Sequence, residues 1–492
     1  MFDVVVVGAG AAGCVVARRL SESGSRSVLL LEGGPDLRDK PPAEIRNGWQ
    51  ITRDSYDWGY TSEPDERGVV RNLWRKKLIG GTSSLTRFTP RGSPADYNEW
   101  AARGNKGWGF DDVLPYFKRL ETDIDFGAEP WHGDRGPMPS NRYLDLDFTE
   151  AGAAGLRALQ AAGFPLVDDH NRPGAVGAGR MPMSSRDGLR VTSADAYLPV
   201  DYRPPNLTIR ADAHVADVVF EGNRAKGVRL LDRTVVEASW VILSAGTYGS
   251  PPILMRSGIG PADHLRRVGV PVRVDLPGVG ANLVDHPAIG FECGYRGPVR
   301  EIPLLHCIAT FHSAGRSSGE APDLMLWMAD PSAPPGGPAE FEIEAVLLRP
   351  RSRGTVRLRS ADPAAAPRIE LPNLRDPTDV QRLAEGYERA LEVAHQPEIR
   401  RLCTDPPAPV ARGDEVEEFI RVNGYSIPHV VGTCSMGRVE DGAVVGASGL
   451  VHGTDRLSVI DASIMPDVPS GFTHIPTIMI AERLSEQIGA LL

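Results

Sequence analysis

A glycine-rich turn and one acidic residue near the N-terminus are the features whose residue types and spacing point most directly to chemistry. The segment Gly8-Ala9-Gly10-Ala11-Ala12-Gly13 follows an apolar run and leads into a stretch of helical composition. Glycines at these positions permit a tight turn, close approach of the backbone to a pyrophosphate, and close packing of helix against strand. Glu32 ends the next apolar run, where an acidic residue can accept hydrogen bonds from a ribose. The pattern predicts a site for NAD or FAD and disfavours NADP, whose extra phosphate Glu32 would repel.

The elements around this turn must form a parallel sheet in order to position it. Val4–Val7 is a continuous β-branched run, as expected for a strand that is buried on both faces. A predicted helix over Ala11–Ser21 and a second strand over Ser27–Leu31 follow, and this alternation implies parallel pairing with right-handed crossovers. Val236–Ala245 and Leu457–Ile460 are also predicted as buried strands, so the sheet draws on the start, the middle and the end of the chain.

The stretch from about Phe291 to Leu371 has a different pattern. Thr355–Arg359 alternates polar and apolar residues, which is typical of an antiparallel sheet with one solvated face. Amphipathic helices are predicted over Phe148–Ala162 and Asp379–His395. We therefore predict an α/β protein in which a Rossmann-type nucleotide-binding domain is interleaved with an α+β domain built on an antiparallel sheet.

Composition narrows the class of protein further. The 492 residues carry a formal net charge of −10, which argues against a nucleic-acid partner because phosphate binding needs clustered Lys and Arg. The five cysteines are odd in number and form no CxxC pair, so we expect neither a metal site nor a disulfide framework. The N-terminus lacks a basic region and a cleavage site, and no apolar run reaches the roughly 18–20 residues of a membrane span. These features favour a reduced, soluble, cytoplasmic protein without membrane association.

Further motifs run in one order along the whole chain and resemble the glucose–methanol–choline (GMC) oxidoreductase family. They include Arg75-Lys76-Lys77-Leu78-Ile79-Gly80-Gly81-Thr82-Ser83-Ser84, Arg91–Tyr97, Gly107–Phe117, Ala245–Gly260, Gly278–Pro287, the predicted strand segment Leu348–Gly354, and His429–Cys434 with Asp461–Ser463 and Pro476-Thr477. The segments His132–Pro139 and Asp323–Asp330 are most similar to bacterial aryl- and furan-alcohol oxidases of that family.

This resemblance implies that the nucleotide is FAD. It also implies a discontinuous FAD-binding domain of residues 1–145, 186–290 and 425–492, and a substrate-binding domain of residues 146–185 and 291–424. By the same resemblance, Gly80 and Gly81 would bring backbone against the flavin or its phosphates, and Val215 would contact adenine through its backbone. The expected FAD-binding residues are Gly8, Gly10, Ala11, Gly13, Glu32, Arg75, Gly80, Gly81, Ser84, Thr86, Val215, Asp461, Ala462 and Thr477.

Two of the eleven histidines, His429 and His474, match the positions of the catalytic pair in this family. Removal of a hydride from an alcohol carbon requires loss of the hydroxyl proton, and a histidine with an ordinary pKa of about 6.5 is suited to accept it. We expect His429 to be the principal base and His474 to hold the alcohol oxygen, with the reverse assignment open. His286 lies in the Asn282–Pro287 block and is interpreted as structural.

The match to the family breaks just after Gly81. Thr86 stands where the family usually has Asn, and Arg87 stands where it usually has Gly. Arg87 either points into the substrate pocket and selects an anionic substrate or turns outward to solvent or an ion pair. Some family members tether FAD through a histidine near Leu85, but no histidine occurs between Leu73 and Trp131. The FAD is therefore predicted to be non-covalent.

The predicted activity is oxidation of a primary alcohol, with aryl and furan types as candidates, to the aldehyde by proton abstraction and hydride transfer to flavin N5. Molecular oxygen or another organic or protein acceptor would reoxidise the flavin. Three alternatives stay open: a dehydrogenase that does not use oxygen, a non-redox enzyme similar to the hydroxynitrile lyases, and an NAD-dependent dehydrogenase, which the GMC motifs disfavour. The expected partners are a small alcohol and an electron acceptor, with no nucleic acid and no membrane.

Overall fold

A seven-stranded sheet gathers the apolar runs of the start, middle and end of the chain. The structure is a computed structural model that describes residues 1–47, 55–299, 305–333, 337–372, 374–405, 411, 413 and 415–492. Val4, Val5 and Val6 are fully buried because the first strand lies between two parallel neighbours and is covered on both faces. This placement confirms the predicted Rossmann-type α/β fold.

The strands of this sheet follow a spatial order that differs from their order in the sequence. From one edge they are Leu207–Arg210, Val28–Leu31, Phe2–Val7, Val235–Leu243, Arg224–Leu230 and Val215–Glu221, and Leu457–Val459 also pairs with Val235–Leu243. Four of the strand pairs are parallel. They join Leu207–Arg210 with Val28–Leu31, Val28–Leu31 with Phe2–Val7, Phe2–Val7 with Val235–Leu243, and Val235–Leu243 with Leu457–Val459. Arg224–Leu230 and Val215–Glu221 extend this sheet at one edge with antiparallel pairing.

A second sheet has six antiparallel strands and belongs to the other half of the protein. In spatial order they are Tyr425–Ser426, Pro287–Gly294, Glu340–Leu347, Leu324–Ala329, His306–Phe311 and Gly177–Arg180. Helices Glu150–Ala161 and Pro377–Ala394 pack on one face of this sheet and share an apolar core with it. Its other face meets a separate apolar cluster that includes Phe88, Met325 and Phe472.

The remaining elements are shorter or connect the two sheets. The α-helices are Ala11–Ser21, Ala43–Arg46, Pro94–Ala102, Phe110–Leu120, Glu150–Ala161, Ser193–Tyr197, Ser250–Arg256, Ala262–Arg267, Pro377–Ala394, Pro397–Arg400, Glu415–Asn423 and His474–Leu491. Short 3₁₀ turns occupy Gly81–Ser84, Val439–Asp441 and Ala462–Ile464. Two-stranded pairs join Ile259–Gly260 with Val274–Asp275, Thr355–Arg357 with Arg368–Glu370, Glu121–Asp123 with Met138–Ser140, and Ser185–Arg186 with Leu189–Arg190. Among the helices of the described ranges, none has both the length and the apolarity needed to cross a bilayer.

Both predicted amphipathic helices are present, with bounds set by their caps. The Thr149 hydroxyl accepts a hydrogen bond from the Gly152 amide, which fixes the start of the first helix at Glu150. In the second helix, the Asp376 carboxylate accepts from the Thr378 amide, so this helix begins two positions before the predicted Asp379.

The prediction of a strand over Leu348–Gly354 is wrong. The preceding strand ends at Leu347, and the amides of Arg351 and Ser352 donate to the Asp379 carboxylate instead of to a neighbouring strand. Pro350 has no amide to contribute to a ladder, so the segment becomes a loop held by a helix residue. The alternating stretch after it does form a strand, Thr355–Arg357, but in a two-stranded pair outside the six-stranded sheet.

The sheets also bear on the predicted domain boundaries. Pro287–Gly294 and Tyr425–Ser426 both pair within the six-stranded sheet, although the sequence placed Pro287 and Tyr425 with the nucleotide-binding domain. We therefore propose that the second segment of the substrate-binding domain begins at Pro287 and extends through Ser426, while the first segment stays at residues 146–185.

Candidate active site

A cavity of about 1020 Å³ runs between the two sheets and contacts both. Of the residues predicted to bind FAD or to act on an alcohol, those that line it are Gly8, Gly10, Ala11, Glu32, Arg75, Gly81, Thr86, Val215, Asp461, Ala462, Thr477, His429 and His474. One end is formed by the glycine-rich turn and the other by the two histidines. The cavity therefore joins the predicted nucleotide site to the predicted reaction site.

Close backbone approaches shape the nucleotide end of the cavity. A Cβ placed on Gly13 would lie 1.8 Å from the Gly8 carbonyl oxygen, so the first helix packs against its preceding turn only without a side chain. A Cβ on Gly10 would meet nothing within 4 Å, because this position faces the cavity. The first helix begins at Ala11, and its N-terminal amides and positive dipole end favour a phosphate there. This cradle fits the pyrophosphate of FAD.

Glu32 is buried at the carboxyl end of its strand and lines the cavity. Its Oε2 accepts a hydrogen bond from the Ala9 amide and its Oε1 accepts one from the Gly34 amide, each at 2.9 Å. Burial raises the pKa of this carboxyl, while these amide donors act in the opposite direction. A carboxylate oxygen can accept more than one hydrogen bond, so Glu32 can hold the glycine turn and still accept from a ribose hydroxyl.

Gly80 and Ser84 stand behind the cavity wall. The Gly80 amide donates to the Ala9 carbonyl at 2.8 Å, and the Ser84 hydroxyl donates to the Gly81 carbonyl at 2.7 Å. A Cβ on Gly81 would lie 2.7 Å from the Gly10 Cα, so the two glycine loops touch each other. Gly80, Ser84 and Gly13 thus shape the lining residues and do not line the cavity themselves.

The other predicted cofactor residues contribute backbone more than side-chain groups. The Asp461 carboxylate accepts from the Gly246 amide, the Ser250 hydroxyl and the Ser463 amide, so this side chain ties two loops together. The Thr477 hydroxyl donates to the Thr473 carbonyl within the first turn of the last helix. Arg75 donates to the Pro428 carbonyl at 3.0 Å, one residue before His429.

His429 is half-buried at the reaction end, and its ring is held from several sides. Its Nδ1 lies 3.0 Å from Nδ1 of His286, and its ring packs edge-on against Phe472 at 4.6 Å between centroids. The His429 amide donates to the Asp285 carboxylate at 2.7 Å, which fixes the backbone. Burial lowers the pKa of His429 well below its usual value, and the neighbouring His286 and Arg75 lower it further. The ring is therefore neutral at physiological pH.

The contact between the rings of His286 and His429 was not predicted from the sequence, which favoured a structural role for His286. Two neutral rings whose Nδ1 atoms face each other share one proton, so one ring donates and the other accepts. Burial lowers the pKa of His286 to about 4, so this ring is neutral as well, although the Leu348 and Pro469 carbonyls act in the opposite direction. With His286 Nδ1 as the acceptor of this bond, His429 Nε2 would keep a lone pair.

His474 is the first residue of the last helix, His474–Leu491, and also lines the cavity. Its Nε2 lies 3.2 Å from the Ser193 hydroxyl oxygen. Burial lowers its pKa to about 4, so this ring is also neutral. The positive end of the helix dipole at this position adds a second reason for the neutral form.

Aromatic rings line the cavity beside the histidines, and none of them was singled out by the sequence. Phe88 packs against Trp327 at 5.0 Å and against Phe472 at 5.3 Å between centroids, and Trp327 packs against Phe472 at 5.6 Å. Trp327 lies in one of the motifs noted above, but nothing in the sequence indicates that these three distant residues meet. Together they form an apolar compartment suited to a flat ring.

Arg87 points inward, so the structure favours the first of its two predicted orientations. Only 3% of the residue is exposed, it lines the cavity, and its Nη2 lies 2.8 Å from Nε2 of His306. Burial lowers the pKa of Arg87 to about 9, and the nearby Arg190 lowers it as well. The guanidinium is still charged at neutral pH.

The sequence predicted no metal site, yet three buried residues outside the cavity have ligand atoms within 4.8 Å of one another: Glu121, Asp123 and His132. The Arg142 guanidinium is paired with Asp123 and with Asp169. Although burial opposes the charged ring, hydrogen bonds to Asp169 and Glu121 raise the pKa of His132 to about 9. At neutral pH and without a metal ion, the ring is protonated and the group is a buried network of ion pairs.

Comparison with known proteins places these features in one family. Residues 2–288 and residues 350–481 match the two sequence models described as GMC oxidoreductase, one for each end of the chain. The chain is 35% identical to 5-(hydroxymethyl)furfural oxidase of Methylovorus sp. (strain MP688), over 99% of its own length and 98% of that protein. It is 34% identical to oxygen-dependent choline dehydrogenase 1 of Chromohalobacter salexigens, with 99% and 94% covered. The solved structure of pyridoxine 4-oxidase from Mesorbium loti matches with a TM-score of 0.91 and 32% identity over 99% of each chain.

Proposed function

The chain belongs to the GMC oxidoreductase family, and from that premise we propose that it uses bound FAD to oxidise a primary alcohol, of aryl or furan type, to the aldehyde. Similarity to a 5-(hydroxymethyl)furfural oxidase and a pyridoxine 4-oxidase supports a hydroxymethyl group on an aromatic ring as the reacting group. The compartment of Phe88, Trp327 and Phe472 supports the same class of substrate. FAD bound along the cavity would accept the hydride at its N5 atom.

The observation that carries this proposal is the state of His429. Its Nδ1 is occupied by His286, and no described residue hydrogen-bonds its Nε2, although the ring lines the cavity. A neutral imidazole with one nitrogen fixed and the other open is arranged to accept the hydroxyl proton of an alcohol. His474, held by Ser193, would donate to or accept from the same oxygen and so orient the α-hydrogen toward the flavin.

Anaerobic mixing of the enzyme with a panel of alcohols tests this function. Benzyl alcohol and related aryl alcohols are expected to bleach the oxidised flavin and yield the aldehyde. A hydroxynitrile lyase would leave the flavin oxidised, and an NAD-dependent enzyme would need added NAD. Peroxide release when air is admitted would then separate an oxidase from a dehydrogenase that requires another acceptor. An unbleached flavin with every alcohol would contradict the proposed function.

We expect the FAD to be non-covalent. No histidine lies between Leu73 and Trp131, and the lining residues Gly81, Thr82, Ser83 and Leu85 offer no side chain that usually tethers a flavin. Acid denaturation followed by filtration should therefore release all of the yellow chromophore into the filtrate. Chromophore that stays with the precipitated polypeptide would show that this expectation is wrong.

The pH dependence of flavin reduction follows from the lowered pKa of His429. A base acts only when it is deprotonated, so the rate is high above its pKa and falls as the pH drops through it. Because burial, His286 and Arg75 hold that pKa well below the ordinary value, the rate should stay flat from about pH 8 down through pH 6.5. Stopped-flow reduction at saturating alcohol measures this profile. A rate that halves near pH 6.5 would indicate an ordinary, solvated histidine.

A further inference from the structure

We propose that Arg87 and His306 form an anion-binding end of the substrate compartment, so that the preferred substrates are aromatic alcohols carrying a carboxylate or an equivalent anionic oxygen group. This inference rests on the proposed alcohol oxidation and specifies which alcohols the same site takes. We refer to Arg87, His306 and the indole N–H of Trp327 as the donor cluster.

In the donor cluster, the ring of His306 lies between two hydrogen-bond donors. Nδ1 of His306 lies 3.0 Å from Nε1 of Trp327, and Nε2 of His306 lies 2.8 Å from Nη2 of Arg87. An indole and a guanidinium nitrogen only donate. A neutral imidazole carries one proton, so one of its two nitrogens presents an N–H to another donor, and a protonated ring would present two. An anionic oxygen placed among these groups would accept from them and remove the mismatch.

The donor cluster lies across the aromatic compartment from the proposed base. The ring of His306 packs against Phe88 at 4.9 Å, Phe88 against Phe472 at 5.3 Å, and Phe472 against His429 at 4.6 Å. Arg87, His306, Trp327 and His429 all line the one cavity. A planar ring held in this compartment can therefore direct a hydroxymethyl group toward His429 and a substituent on its other side toward Arg87.

The charges around the compartment also orient an anion toward Arg87. Arg190 is a second cation near this end of the site, and its charge lowers the pKa of Arg87. Glu342 and Glu344 also line the cavity, Glu344 lies directly across the strand pair from Trp327, and the Tyr425 hydroxyl is within hydrogen-bond distance of both carboxylates. An anionic substituent is attracted to Arg87 and repelled by these two carboxylates. The Arg87 fork can bind a carboxylate through two parallel N–H groups.

The test compares 4-(hydroxymethyl)benzoate with its methyl ester, which carries no charge and is larger by one methyl group. In the wild-type enzyme we expect kcat/KM for the carboxylate to exceed that for the ester by about 10–100-fold, the range of a charge-assisted hydrogen bond. Arg87→Gln should bring this ratio to about one, and Arg87→Lys should retain part of it. Arg135→Gln, which removes a cation whose side chain is 91% exposed, should keep the wild-type ratio.

Two results would overturn the inference: a wild-type ratio at or below one, or a ratio that is unchanged in FAD-loaded Arg87→Gln. If Arg87→Gln does not fold, the same comparison can be made with the wild-type holoenzyme. The binding of benzoate and of benzamide is then measured by the change that each ligand causes in the flavin absorption spectrum. Benzoate must bind about 10-fold or more tightly than benzamide for the inference to hold. If neither alcohol bleaches the wild-type flavin, the proposed oxidation fails, and the benzoate comparison still decides whether the anion-binding end exists.

Discussion

His429→Ala is expected to retain FAD and to reduce its flavin about 10²–10⁴-fold more slowly than the wild type, which is the usual contribution of a general base. The variant removes the imidazole whose Nε2 is open to the cavity, and it leaves the glycine turn at the other end unchanged. Anaerobic stopped-flow mixing with a saturating aryl alcohol measures the rate constant of flavin reduction directly, because no oxygen is present to reoxidise the flavin.

Two further variants make this result specific. His474→Ala should also slow reduction, because the ring that Ser193 holds no longer orients the alcohol oxygen. His395→Ala removes an exposed histidine at the end of a helix and should reduce its flavin at the wild-type rate. Native-rate reduction by His429→Ala would exclude His429 as the base, and a much greater loss in His474→Ala would reverse the two assignments.

Gly13→Ala is expected to destabilise the protein and to reduce its FAD content sharply. The added Cβ would lie 1.8 Å from the Gly8 carbonyl oxygen, so either the turn or the first helix must move. Overpacking of this kind costs about 1–3 kcal/mol in unfolding free energy, and here the displaced atoms are those of the phosphate cradle itself. Thermal unfolding of the apoprotein and flavin content after purification measure the two effects.

Gly10→Ala is the matched comparison on the same turn. Its Cβ meets no protein atom within 4 Å, so the apoprotein should unfold at nearly the wild-type temperature. The methyl group projects into the cavity where the pyrophosphate would lie. The Kd for FAD should therefore rise about tenfold or more, and a tenfold rise corresponds to a loss of about 1.4 kcal/mol in binding free energy. Equal effects of the two variants on apoprotein stability would contradict the distinct roles assigned to Gly10 and Gly13.

The sequence was most informative where local chemistry dictates the structure. The run Val4–Val7, the glycine turn and Glu32 are adjacent in the chain, and each residue type has few alternative uses at that spacing. The caps Thr149 and Asp376 determine where two helices begin, and the sequence placed both helices within two residues of their starts. The prediction of a strand over Leu348–Gly354 was wrong because the Asp379 carboxylate accepts hydrogen bonds from the amides of Arg351 and Ser352. This is a tertiary contact that no local sequence pattern reports.

The substrate compartment was the least predictable part of the protein. Phe88, Trp327 and Phe472 come from three distant segments, and only the meeting of the two sheets brings them together. The sequence could not predict whether Arg87 points into the cavity or outward. A buried arginine is rare, and the contact with His306 joins residues that are 219 positions apart in the chain. The role of His286 depends on which ring nitrogen faces His429, a detail of side-chain orientation that a motif does not contain.

The most direct test of the central claim is the isotope effect on flavin reduction. We propose that His429 takes the hydroxyl proton while hydride leaves the α-carbon of an aromatic primary alcohol. Benzyl alcohol deuterated at both α-positions should therefore reduce the wild-type flavin several-fold more slowly than unlabelled benzyl alcohol in anaerobic stopped flow. Flavin that stays oxidised with both alcohols, or that both alcohols reduce at the same rate at saturation, would contradict this mechanism.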